Sequence, residues 1–250
     1  MLMHEPDPTP LDLRWTMFGV PIRVHPMFWV LAAVLGWGNL RFGFVIMFLW
    51  MACVFISVLV HEFGHVLMGR LFGSDGRILL YAFGGLAIGS NDVRRRWQRI
   101  LVLLAGPGAE LLIALPILLY FRTHDLPGGL FLRPSLLLIL EFMLWVNLLW
   151  GLFNLLPIYP LDGGQITREL FEAIWPSRGG MVALGLSTLV AAGIALLIFL
   201  TTQYKALEIR YMPTGLYNAL IFASFAATSI QAMQAEYARS RWDERLPWER

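Results

Sequence analysis

FGFVIMFLWMACVFISVLVHEFGHVLMGR, residues 42–70, is an apolar run in which three ionisable side chains, His61, Glu62 and His65, fall within five positions. A bilayer core needs about 20 apolar residues as helix, so this stretch is long enough to span one. On a helix at ~100° per residue, His61 and His65 lie ~40° apart and both imidazoles can reach one ion. Zinc is the natural candidate, because neutral histidine nitrogens are its ligands and a catalytic zinc keeps three protein ligands with the fourth position for water. Glu62, adjacent but not a ligand, can take that water's proton. Ionisable groups in an apolar segment are costly and usually functional, which argues against a packing role for three of them together.

The rest of the chain fits a membrane setting. Of its 250 residues 58% are hydrophobic and only 14% charged, and the mean hydropathy is +0.64, outside the soluble range. Six hydrophobic segments emerge, at about 26–40, 42–69, 98–121, 134–156, 181–202 and 213–233. The first is the weakest, since Arg41 and the glycines at 36, 38 and 43 leave only a tight turn before the second. Ahead of it, Phe18 to His25 reads as an extended segment at the membrane surface, with His25 a plain interfacial residue. Residues 77–89 (RILLYAFGGLAIG) are too short to span and read as a hairpin or re-entrant strand.

Charge excludes some classes and orients the bundle. The N-terminus lacks the basic and apolar regions of a secretory signal. A net charge of +2, with arginines that flank hydrophobic runs, gives no case for nucleic acid. Cys53, the single cysteine, rules out an intrachain disulfide and a cysteine-based zinc cage. With six spans, both termini share one side with fourteen of the nineteen lysines and arginines, against Arg41, Arg122, Arg133, Lys205 and Arg210 on the other. The positive-inside rule makes the richer side cytoplasmic.

A third ligand is needed, and NLLPIYPLDGG, residues 154–164, offers Asp162 at the end of the fourth segment. Pro157 and Pro160 break the helix there, and Gly163 and Gly164 allow close backbone approach. An Asp-Gly-Gly alone would be a surface turn, but the topology places this stretch at the same membrane face as the end of the second segment. His65 lies roughly 8 Å of helix rise before Arg70.

The HExxH of one hydrophobic segment and the N-x-x-P-x-x-P-L-D-G-G of a later one resemble the site-2 protease family of intramembrane metalloproteases. The likeness covers about Phe18 to Trp175, including Phe83-Gly84-Gly85 and Ala105-Gly106-Pro107. It implies an all-α polytopic membrane protein with a three-helix catalytic core (about 18–176), two additional C-terminal helices (about 181–233) and a cytosolic tail (234–250), all one peptidase domain. It further implies His61, His65 and Asp162 as zinc ligands, Glu62 as general base, Asn154 near the scissile carbonyl, and Gly84 and Gly85 holding an unwound, membrane-spanning protein substrate. The expected setting is the cell inner membrane, with the lipid bilayer around the bundle and regulated intramembrane proteolysis as the role. One residue departs from the family: Glu110 stands where members often carry Asn, and is expected to face a wet cavity or to pair with another polar group, Glu141 if the helices meet.

Two other readings compete. A non-proteolytic metal-binding scaffold of the same fold would not need Glu62. A zinc transporter would need a polar path, which the segments at 181–202 and 213–233 do not provide.

Overall fold

The computed structural model describes residues 5–82, 84–123, 134–203 and 215–243. They form two compact units that divide between Asn154 and Leu155. Phe83, Arg133, Lys205, Arg210, Arg245 and Arg250, and the start of the sixth expected segment at 213–214, lie outside the described residues.

The first unit opens with a hairpin, β1 (Leu13–Met17) and β2 (Val20–Val24). β2 alternates as a half-buried strand must: Val20, Ile22 and Val24 are buried, while Pro21 and Arg23 point the other way. Pro21 lies outside the β2–β3 register, which covers Ile22 to Val24, so its missing N–H breaks no bond in that ladder. The chain then turns into α1 (Pro26–Leu35), a 3-10 turn (Trp37–Phe42) and the long helix α2 (Phe44–Leu71). After α2 come β3 (Arg77–Tyr81) and β4 (Gly84–Ile88). The four strands make one sheet in the order β1-β2-β3-β4, antiparallel except for the parallel β2–β3 pair. That pair requires a crossover, which the α1–α2 connection supplies.

Two arginines tie this sheet down. Arg70, in the last turn of α2, donates to the carbonyls of Phe18 (2.9 Å) and Gly19 (2.6 Å) at the hairpin turn. Arg23 donates to Asp12 (2.6 Å). Burial opposes ionisation of Asp12, but bonds from the Thr9 hydroxyl and backbone N–H, Arg23 and Arg14 win and hold its carboxyl well below the usual carboxylate range. His25 is more than an interfacial residue: its Nδ1 accepts from the Met27 N–H (3.1 Å) and so caps α1.

α3 (Arg96–Thr123) and α4 (Pro134–Asn154) complete the unit, and α2, α3 and α4 pack against one another as the expected three-helix core. α2 and α3 meet closely at Gly64, where a Cβ would collide with the Ala105 carbonyl.

The second unit holds α5 (Asp162–Ile174), α6 (Gly179–Gln203) and α7 (Leu216–Asp243). α6 packs against both of the others. Arg168 of α5 is bonded to Glu172 (2.7 Å) and to Glu236 of α7 (2.9 Å). Ser187 of α6 donates to or accepts from Ser229 of α7 (2.8 Å) and accepts the Tyr159 N–H (2.6 Å), which fixes the turn leading into α5.

The chain is a multi-pass, mainly helical membrane protein, with three differences from expectation. Among the described residues five helices, α2, α3, α4, α6 and α7, are long and apolar enough to span. The expected first span, 26–40, is the ten-residue α1 plus a 3-10 turn. Ten residues rise ~15 Å, half of a bilayer core. The helix stops at Gly36, where the Trp50 indole leaves no room for a Cβ. The hairpin or re-entrant strand expected at 77–89 is a hairpin, β3–β4, and it joins β1–β2 in a four-stranded sheet that was not expected. α7 also runs on to Asp243, past its expected end at 233. Outward leucines such as Leu112 and Leu189, each 73% exposed, suit a lipid-facing surface.

Candidate metal centre

α2 carries His61, Glu62 and His65 on its buried stretch, with relative exposures of 4, 4 and 6%. The helical spacing brings the imidazoles edge to face, ring centroids 4.7 Å apart, with Nε2 of one 3.0 Å from Nε2 of the other. Each Nδ1 is engaged by α3. His65 Nδ1 lies 2.7 Å from the Val102 carbonyl, and a carbonyl only accepts, so that nitrogen carries the proton and Nε2 presents a lone pair. His61 Nδ1 lies 2.9 Å from Glu110 Oε2. An ionised carboxylate likewise only accepts, leaving the lone pair of His61 at Nε2. Two lone pairs facing each other at 3.0 Å repel unless a cation lies between them. Two zinc–nitrogen bonds of about 2.0–2.1 Å reach across that separation, so the pair fits a zinc ion.

Two glycines make room for this arrangement. A Cβ on Gly106 of α3 would enter the His65 ring and the His61 Nε2. A Cβ on Gly85 of β4 would strike the Glu62 side chain. β4 therefore runs directly against the base expected on α2 and sits at the edge of the sheet, with β3 on its other side. Gly84, at φ +142°, takes a backbone conformation that favours glycine and faces Trp150 of α4.

Asp162 is the first residue of α5, in the second unit, and is buried. The turn around it needs small residues: a Cβ on Gly163 would meet the Leu155 and Leu156 carbonyls, and one on Gly164 the Ile158 carbonyl. Asn154 ends α4, is nearly buried, and donates to the Trp150 carbonyl at 3.1 Å.

Of the expected residues, His61, Glu62, His65 and Gly85 are thus brought together within the first unit. Glu110 has its partner in His61; Glu141 is exposed on α4 and does not fill that place. Sequence reasoning missed the Val102 carbonyl and the clearance at Gly106. The first is a backbone atom and leaves no mark in the sequence, whereas the second could have been suspected from Ala105-Gly106-Pro107.

A buried HExxH helix backed by two further membrane-type helices and flanked by a sheet edge defines a metal-centred intramembrane hydrolase scaffold. The chain belongs to peptidase family M50, whose model matches residues 49–126 and 129–200. The Synechocystis protein sll0528 is 30% identical over 66% of this chain. A zinc metalloprotease of Methanocaldococcus jannaschii, MJ0392, is 28% identical over 62% of it, and stage IV sporulation protein FB of Bacillus subtilis 28% over 65%. The matches cover 44, 44 and 52% of those proteins, so the chain spans about half the length of the curated relatives it matches. Among solved structures, the site-2 protease from Methanocaldococcus jannaschii superposes with a TM-score of 0.57 over 88% of this chain and 94% of that one, at 22% identity, and shares the fold. The resemblance to the site-2 protease family holds.

Proposed function

We propose that this chain is an intramembrane zinc endopeptidase that hydrolyses peptide bonds in or near the transmembrane segments of other membrane proteins. The observation that carries the reading is the pair of facing imidazole Nε2 atoms, with Glu62 beside them, in a helix long and apolar enough to cross a membrane. His61 and His65 supply two ligands and Asp162 the third. Zinc held there would supply Lewis acidity to the attacking water and the scissile carbonyl. Glu62 takes the proton of that water and passes it to the leaving amine. Gly85 allows the backbone of β4 to lie against that carboxylate.

A substrate helix hides its carbonyls in its own hydrogen bonds and must unwind before it can be cut. The edge position of β4 supports a way to do this, because an unwound segment added as a further strand would have its backbone satisfied next to Glu62. Gly84 and Gly85 then hold the substrate, and Asn154 contacts it near the scissile carbonyl. The whole of 1–250 acts as one peptidase domain with its core at about 18–176. An intact Glu62 disfavours the alternative, a metal-binding scaffold that does not cut.

We place the protein in the cell inner membrane with both termini cytoplasmic, so that cleavage falls near the cytosolic end of the substrate and releases a cytosolic domain in regulated intramembrane proteolysis. The shortness of α1 leaves this orientation standing. The pairing of β2 with β3 in one sheet supports placing the chain before α1 and the chain after α2 on one side.

The ligand set is tested by metal analysis of the purified chain. About one zinc per chain is expected, lost in His65→Ala and in Asp162→Ala. Zinc retained unchanged in either variant would overturn the assignment.

A further inference from the structure

Glu110 is wholly buried in α3, among apolar residues of a membrane-spanning helix, and its carboxylate reaches His61 Nδ1 at 2.9 Å. A charge at such depth is costly and persists where it has a task. We infer that Glu110 is a positioning residue of the metal centre, fixing His61 with its proton on Nδ1 and its lone pair on Nε2 and strengthening that nitrogen as a ligand for zinc.

The inference rests on the zinc reading above and deepens it. The two imidazoles are supported unequally. His65 leans on a neutral backbone carbonyl, Val102, which fixes its orientation but adds no charge. His61 leans on a side chain that carries a full negative charge when ionised, and a carboxylate behind an imidazole raises its basicity as a ligand. The contact is also built from several sides. Glu110 lies one turn beyond Gly106, whose missing Cβ admits both rings, and Gly151 of α4 stands where its Cβ would come within 3.4 Å of Glu110 Oε2. α3 therefore supplies the space for the rings, the orienting carbonyl for one and the orienting carboxylate for the other. An asparagine at 110 would carry no charge and be one methylene shorter, so it would neither reach His61 Nδ1 as Glu110 does nor raise its basicity.

The test uses the full chain in detergent, stripped with a chelator and titrated with zinc against a chromophoric competitor. Glu110→Gln keeps the shape and an acceptor but removes the charge, and should weaken zinc binding about 10–100-fold. The visible spectrum of the cobalt-loaded form should shift with it, a change that loosened packing far from the ion would not produce. Glu141→Gln, on the exposed face of α4, should leave both unchanged. If Glu110→Gln loses its helical circular dichroism, Glu110→Asn, which is shorter and likewise uncharged, takes its place with the same expected weakening. A folded variant at 110 with wild-type zinc affinity and an unshifted cobalt spectrum overturns the inference and leaves the zinc reading intact. A wild-type chain that binds no zinc removes both.

Discussion

Gly106 and Gly85 are positions where one added methyl group would collide with side chains of the proposed centre. At Gly106 the obstruction falls on both imidazoles, and at Gly85 on the Glu62 side chain. The two alanine variants should therefore fail differently. Gly106→Ala should lose most of its zinc, and cleavage with it. Gly85→Ala should keep its zinc and lose about 100-fold or more in turnover, the scale on which a displacement of about 1 Å acts in an active site. Metal content and peptide cleavage measured on the same preparations check both, and equal zinc loss in the two would contradict the geometry. The HExxH could be read from the sequence because its spacing is local: four residues along a helix settle which side chains share a face. The roles of Val102 and Glu110 could not. They come from a helix dozens of residues away, and nothing in the sequence fixes the register of α3 against α2.

At the scale of elements, the edge strand β4 makes a separable prediction. Gly84→Val puts a β-branched residue at φ +142°, disfavoured for any side chain, beside Trp150. Zinc content should be unchanged while kcat/KM for a membrane peptide falls at least tenfold; undiminished kcat/KM would show that β4 takes no part in holding substrate. β3 and β4 were legible from their β-type residues around a Gly-Gly pair, but the β1–β2 hairpin was not. Its two-residue turn is Phe18-Gly19, both at positive φ (52° and 71°). Such turns are usually announced by Asn-Gly or Asp-Gly, and a phenylalanine at the first position hides the signal. Pro21 counts against a strand, and β2 was legible only as the extended segment at 18–25. The first expected span was the weakest in the sequence because of its glycines, and α1 does end at Gly36, which packs on Trp50.

For the molecule as a whole, membrane character followed from composition, and the five long apolar helices agree with it. The orientation proposed from arginine placement has a direct check in α3, because Arg95 and Arg122 flank its two ends and both are exposed. With Cys53 replaced, a cysteine at 95 should resist an impermeant thiol reagent in intact cells and one at 122 should react. The opposite pattern would invert the protein and remove the release of a cytosolic domain. The central claim, that Glu62 is the base of a zinc peptidase, is tested most directly by reconstituting wild-type chain and Glu62→Gln in liposomes with a transmembrane peptide and measuring zinc and cleavage together. The amide fills the same space but cannot take a proton from the attacking water, so the variant should hold about one zinc per chain and lose about 100- to 10,000-fold in cleavage rate. A Glu62→Gln protein that cuts at near the wild-type rate, or a zinc-loaded wild type that cuts no membrane peptide, would contradict it.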